Sequence, residues 1–332
     1  MIFPSISFVI PTISFDERLK KCISSLLEQN YDKNKIEIII SHGGEEIINH
    51  NYNKDNIKIK YLGFYENPEA RKYAGSIYAS NDLICFIDSD NLPSSSNWIS
   101  NHVRPFENND VLASYSQHYG FDKKSSTADR YFSLIGGNDP FVYYLKKNDR
   151  VEYLSKNIPY GLNVHNENNY YSICSLSNNP PVIGANGFFI KRKNFQNTLR
   201  NLDPVKFFHT DSILKIFEKY PNSKISIIKD FTYHNSFLHF KSHIKKRLNY
   251  FNIHSKKLLK YRTYKIVSLT SFKDLMQIFL VFLKLFTFVF PIINSLKMFY
   301  RTKKVESFYE MFIPHIFFFA YFYNFCRSKF YN

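Results

Sequence analysis

Residues Asp82–Asn91 read DLICFIDSDN, and this short stretch decides the fold. Leu83–Ile87 is an unbroken apolar run, short for a helix and suited to a strand buried on both faces. Asp88-Ser89-Asp90-Asn91 then stops it with turn-forming polar residues. Working outward, Pro68–Ala79 predicts a helix with proline near its start. Lys35–Ser41 (KIEIIIS) predicts a buried strand ended by Gly43-Gly44, and Asn56–Leu62 a shorter one. Asp16–Gln29 places Leu19, Cys22, Ile23, Leu26 and Leu27 at helical spacing with acids in its first turn. Ser5–Pro11 (SISFVIP) reads as the first strand. Strands alternating with helices imply an α/β fold, a parallel, doubly wound sheet covered on both faces. Ligands of such sheets sit beyond the carboxyl ends of the strands. The informative residues are then Pro11-Thr12, Ser41-His42 and Asp88-Ser89-Asp90.

Two carboxylates one residue apart at a strand end can both face a hard cation, Mg²⁺ or Mn²⁺, which takes oxygen ligands and completes its shell with water and phosphates. Such an ion neutralises charge on a departing diphosphate. The same residues serve equally as a polar turn after a strand. From about 111 to 235 the pattern loosens. It holds the turn clusters Gly136–Pro140 and Asn178–Pro181, a strand-like Gly187–Lys191, a helix at Thr210–Lys219 and a strand at Lys224–Ile228. Residues 1–236 are read as one domain.

The 332-residue chain carries a net charge of +16, located almost wholly in its last third. Residues 1–221 hold 25 Lys+Arg against 24 Asp+Glu, whereas residues 222–332 hold 19 against 4. His239–Arg262 has eight bases and no acid. Leu275–Leu296 follows with a single charge, Lys284, and Phe312–Cys326 has none. At 1.5 Å per residue the first segment would reach roughly 33 Å as one helix, enough to cross a bilayer. Residues 237–332 therefore read as a basic helical region with two hydrophobic segments, 275–296 and 312–326. It would associate with an anionic membrane surface, as a helical hairpin or as helices in the interface, or else form a small helical domain. Cys22, Cys85, Cys174 and Cys326 lie far apart, which argues against a zinc ribbon or a disulfide framework. A cleaved signal peptide is not expected, because no long apolar core follows a basic start.

Taken in order, SFVIPT (Ser7–Thr12), SLLEQNY (Ser25–Tyr31), EIII (Glu37–Ile40) and ENPEARKYAGSIYASNDLICFIDSDN (Glu66–Asn91) resemble the family-2 glycosyltransferases of the GT-A fold, closely over about 5–100 and loosely to about 235. The resemblance implies a nucleotide-diphosphate sugar donor, a UDP-sugar in related enzymes. Pro11 and Thr12 then resemble the loop against the base, and Arg71 the arginine that reaches the nucleotide; a surface arginine is the alternative. Asp88, nearer the ribose, and Asp90, on the cation, resemble the metal-binding pair. Where the family has a base-pairing aspartate this chain has His42, which matches a carboxylate acceptor only when neutral and suitably turned. Val182–Arg192 (VIGANGFFIKR) resembles the glycine-rich segment beneath the acceptor. Asp211, in Phe208–Asp211 (FHTD), resembles the general base that deprotonates the acceptor hydroxyl; a helix N-cap is the alternative. Thr210 replaces the usual acid before it. His234 resembles a histidine that completes the cation's shell in some GT-A enzymes, and a buried histidine is the alternative.

The activity so implied is metal-dependent, inverting sugar transfer to a lipid-linked or glycan acceptor, at the cytoplasmic face of a membrane. A polyprenyl-phosphate sugar synthase shares the fold and donor. A non-catalytic GT-A-like membrane scaffold fits the His42 and Thr210 departures. Nucleic acid is not an expected partner, since the bases lie among long apolar runs.

Overall fold

The computed structural model describes residues 3–43, 57–61, 67–253, 259–268 and 270–330. Gly44, Asn56, Leu62 and, in the basic tract, Lys256 and Lys257 lie outside the described residues. The elements run β1 (Ile6–Thr12), α1 (Glu17–Leu27), β2 (Ile36–His42), β3 (Ile57–Tyr61), α2 (Pro68–Ser76), β4 (Leu83–Phe86), β5 (Asn91–Pro93), α3 (Trp98–Val103) and β6 (Val111–Gly120). They continue with α4 (Thr127–Leu134), α5 (Pro140–Tyr144), β7 (Leu162–Glu167), β8 (Tyr171–Leu176), β9 (Phe188–Lys191), α6 (Arg192–Leu199), α7 (His209–Lys219) and β10 (Lys224–His234). Four helices end the chain: α8 (Phe240–Asn252), α9 (Phe272–Phe286), α10 (Val289–Thr302) and α11 (Ile313–Phe330).

Two compact units result. The first comprises 1–117, 161–179 and 183–233, and the second 118–160, 180–182 and 234–332. The domain boundary read at 236/237 falls three residues after the last of these divisions, and the second unit also draws in 118–160.

The first unit holds a mixed sheet in the order β3-β2-β1-β4-β9-β6-β10-β8-β7, with β5 beside β10. β3, β2, β1 and β4 are parallel, as the alternating pattern predicts. From β4 onward β9 runs antiparallel, and β8 pairs antiparallel with both β10 and β7, so the doubly wound pattern stops at β4. Every residue of β1, β2 and β4 is buried. One face packs Phe8, Ile10, Ile38 and Ile40 against Leu19, Cys22 and Leu26 of α1. That helix begins where the Asp16 carboxylate accepts from the amides of Arg18 (3.0 Å) and Leu19 (3.2 Å). Asn67 caps α2 in the same way, with Pro68 in its first turn.

Gly75 lets α2 approach the sheet closely. A Cβ there would lie 2.8 Å from Val9 Cγ1 and 2.9 Å from Ser41 Cβ. Gly75→Ala is therefore expected to cost about 1–3 kcal/mol despite the roughly 1 kcal/mol helical preference of alanine. Urea denaturation reads this, and a stabilised variant would show that helix and sheet have slack.

In the second unit, Tyr131, Phe132 and Ile135 pack with Met298, Ile313 and Phe317, and Tyr144 and Leu145 with Val281 and Leu285. The Gly136–Pro140 turn has a structural task. Asp139 caps α5 through the Phe141 amide (2.9 Å) and accepts from Arg247 of α8 (3.1 Å) and from the Tyr321 hydroxyl of α11 (2.5 Å). Glu310, with no exposed surface, accepts from the hydroxyls of Tyr131 and Tyr144, each at 2.7 Å, and from Asn294 Nδ2 at 2.9 Å.

The segment 275–296 is not one helix. It breaks at Thr287-Phe288, and α9 and α10 meet at 81°. Phe288 adopts the left-handed conformation (φ 57°), and its ring stacks on His315 at 3.9 Å. His315 Nε2 donates to the Leu285 carbonyl at 2.7 Å, which satisfies an acceptor at the end of α9. Among the described residues no single helix is long and apolar enough to cross a membrane.

Candidate active site

Parallel pairing brings the strand ends together in the first unit. Pro11 lies opposite Ser41, Thr12 opposite His42, and Val9 opposite Phe86, two residues before Asp88. Pro11 and Thr12 are buried, and the Thr12 hydroxyl donates to the Ser14 carbonyl at 2.6 Å, shaping the loop beyond β1. His42 is 2% exposed and packs against Phe15 at 5.2 Å.

After β4 the chain turns sharply, with the Asn91 amide donating to the Asp88 carbonyl at 2.9 Å. Asp88, Ser89 and Asp90 all remain partly exposed at this rim, although Asp88 Oδ1 itself is buried. Asp90 Oδ1 accepts from Asn91 Nδ2 at 2.8 Å. Beneath them, Cys22 is buried, and burial, together with the charges of Asp90 and Asp88, pushes its thiol well above the usual range. It is a packing residue, not a nucleophile.

Around the aspartates lie more cations than the motif alone reveals. Lys72 Nζ stands 3.0 Å from Asp88 Oδ1 and 3.4 Å from Glu69 Oε1, with 5% of its side chain exposed. Arg71 is 8% exposed, which excludes the surface-arginine alternative. Burial lowers its pKa, while the Asp88 charge works to raise it. Arg18, at the start of α1, has its pKa raised by its hydrogen bond to Asp16, with a smaller contribution from Asp90. The sequence alone does not single out Lys72 or Arg18. The available signal for Lys72 was its i,i+3 spacing from Glu69 on a proline-started helix.

The same network reaches the helix that carries Asp211. Glu69 Oε2 accepts from the His209 amide at 2.8 Å, so one carboxylate holds both Lys72 and the first turn of α7. The His209 ring packs edge-on against Phe86 (5.3 Å) and Phe188 (4.8 Å). Asp211 is the third residue of α7 and is buried. The N-cap position is Phe208, so the capping alternative for Asp211 falls away. Gly187, in the glycine-rich segment, has φ +70° and would bring a Cβ to 2.8 Å from the Trp98 ring. Its amide donates to the Phe86 carbonyl at 2.8 Å, so a turn and a close approach require glycine there.

His234 belongs to the second unit. It is buried, with Nδ1 3.8 Å from Asp129 Oδ1. Burial works to raise the pKa of Asp129, but hydrogen bonds from His243, Ser236 and Ser126 and the charge on His234 bring it down to about 2. Among the described residues no group of three or more His, Cys, Asp and Glu side chains is placed to hold a metal. The rim aspartates still have the donor chemistry of a hard cation that needs only one or two carboxylates and takes its other ligands from substrate phosphates. A cavity of about 350 Å³, lined by Phe3, Pro4, Asp82, Leu83 and Lys191 among others, lies at the opposite ends of β1 and β4 and is no part of this site.

The sheet of the first unit has the architecture of the GT-A fold. Residues 7–164, just under half of the chain, match the model of Glycosyl transferase family 2. The chain is 24% identical over 138 residues to glycosyltransferase AglE of Haloferax volcanii, covering 40% of this chain and 45% of that protein. It is 31% identical over 94 residues to the GalNAc(5)-diNAcBac-PP-undecaprenol beta-1,3-glucosyltransferase of Campylobacter jejuni, covering 26% of this chain and 30% of that one. The chain thus spans less than half the length of either relative. Among solved structures it resembles the mannosyltransferase PcManGT from Pyrobaculum calidifontis, in complex with GDP-Man and Mn²⁺, with a TM-score of 0.53 and 10% identity over 99% of this chain and 88% of that one.

Proposed function

We propose that this chain transfers a hexose from a nucleoside-diphosphate sugar, a UDP-sugar first among candidates, to a lipid-linked acceptor, with inversion and with the aid of Mg²⁺ or Mn²⁺. The carrying observation is the continuous contact from Asp88 through Lys72 and Glu69 to the start of α7, which couples the diphosphate end of the site to the helix bearing Asp211. The lipid-linked acceptor is supported by the Campylobacter relative, whose name places its substrate on a polyprenyl diphosphate.

Asp88 and Asp90 would hold the divalent ion, which when bound supplies positive charge opposite the departing diphosphate. Arg71 and Lys72 add fixed positive charge at the same rim, within a poorly solvated setting where it counts for more. Asp211 would accept the proton of the acceptor hydroxyl as that oxygen attacks the anomeric carbon, and a single displacement inverts the centre. His42 cannot supply the anionic acceptor that pairs with a uracil N–H, so selection of the base falls to the loop after β1.

A panel of UDP- and GDP-sugars with Mn²⁺, scored by thermal shift and then by transfer to a polyprenyl-diphosphate glycan, tests this. One donor should stabilise the protein by about 2.7 kcal/mol at a hundred times its dissociation constant, and a chelator should stop transfer. Binding without turnover on any acceptor would favour the scaffold alternative. Transfer only to a bare polyprenyl phosphate would make the chain a synthase of lipid-phosphate sugars.

A further inference from the structure

We infer that α9 and α10 form a monotopic wedge seated in the headgroup layer of an anionic bilayer, without crossing it. Each helix buries a narrow stripe within the second unit: Val281 and Leu285 on α9, and Pro291, Ser295 and Met298 on α10. The surface left outside is apolar too. Phe279 is 52% exposed, Phe286 70%, Val289 57% and Phe290 48%, and Leu283 and Ile293 are exposed beside them. Contiguous apolar surface of this kind marks a lipid or partner contact.

Charge selects the lipid. Over Phe272–Thr302 the cations are Lys273, Lys284, Lys297 and Arg301, the last paired with Glu152, against one acid, Asp274. Asp274 is already engaged, accepting from the Ser268 amide at 2.7 Å. Lys284, in the middle of the apolar surface, lies over the Phe290 ring at 4.8 Å, where an ammonium can reach the headgroups while its stem stays among hydrocarbon. Residues 222–332 carry an excess of 15 bases, so the field around the wedge favours anionic headgroups.

Neither helix is long enough to cross by itself. At 1.5 Å per residue, α9 and α10 reach only about 21–23 Å each, short of a hydrocarbon core of roughly 30 Å. Straightening the 81° elbow would break the His315 contacts to Leu285 and Phe288 and unpack both buried stripes. Such helices lie with their apolar side roughly 5–10 Å into the headgroup boundary.

The test is flotation of the full chain with phosphatidylcholine vesicles, with and without phosphatidylglycerol. No donor is present, so a negative result leaves the sugar-transfer reading intact. The chain should float with the anionic vesicles, and the triple variant Phe279→Ser, Phe286→Ser, Phe290→Ser should partition roughly a hundredfold less, with its thermal melt retained. Should that variant fail to fold, Val289→Trp decides. Its fluorescence, corrected for the buried Trp98 of the parent, should be quenched more by a lipid brominated near the headgroup than by one brominated near the chain end. Stronger quenching from the bilayer centre would overturn the monotopic geometry. No flotation, with a dimer by light scattering that the triple variant abolishes, would assign the surface to a second copy of this chain instead.

Discussion

Asp90→Asn should lower sugar transfer by roughly 10²–10⁴-fold while leaving stability within about 0.5 kcal/mol of wild type. Asp90 is partly exposed, and its Oδ1 accepts from the neighbouring Asn91 amide, so the substitution removes little that holds the fold together. Under the proposed function, its loss would be felt where the sugar–phosphate bond breaks and charge accumulates on the diphosphate. Asp88→Asn should act differently, because it also strips Lys72 of its nearer partner. A buried cation left unpaired costs about 3–5 kcal/mol. Here Glu69 remains 3.4 Å away and the Asp88 side chain is 32% exposed, so roughly 1–2 kcal/mol is the expected loss. Initial rates at saturating donor and Mn²⁺, beside urea melts of each variant, separate the two effects. Wild-type turnover in the Asp88→Asn, Asp90→Asn double variant would remove these carboxylates from the chemistry.

How far the sequence discloses this architecture depends on whether a pattern is local. β1, β2 and β4 are uniform apolar runs, and α1 has helical spacing with an acidic cap, so each declares itself. β6 (VLASYSQHYG) does not, because a strand buried along its whole length carries Ser114, Ser116, Gln117 and His118. Partners distant in sequence meet part of that polarity. Ser116 Oγ lies 2.9 Å from Thr232 Oγ1, 3.3 Å from Trp98 Nε1 and 3.1 Å from His102 Nε2. At the site, paired aspartates after a buried strand were legible, whereas Lys72 reads as one more helical lysine until the fold sets it on Asp88. The break in 275–296 was hidden for the same reason: the residue that clamps it, His315, lies in another helix.

Glu310 should make stability pH-dependent. Burial raises its pKa from an ordinary 4.5 to about 7, even though hydrogen bonds from Tyr144, Tyr131 and Asn294 act to lower it, and the charge on Glu152 adds to the rise. Between those two values the folded chain holds a proton that the unfolded chain has released, so stability falls with increasing pH. The contribution is fully present below pH 4.5 and is lost as pH rises through about 7. The span corresponds to about 3 kcal/mol. Glu310→Gln keeps an uncharged group of the same shape among Tyr131, Tyr144 and Asn294, so it should remove this slope. Measured by urea denaturation from about pH 5 to about pH 8, the wild type should lose stability relative to the variant by that amount, with the difference flat above. Parallel curves across the range would mean that the three donors hold Glu310 ionised. Its carboxylate would then be one more buried charge fully compensated by its neighbours.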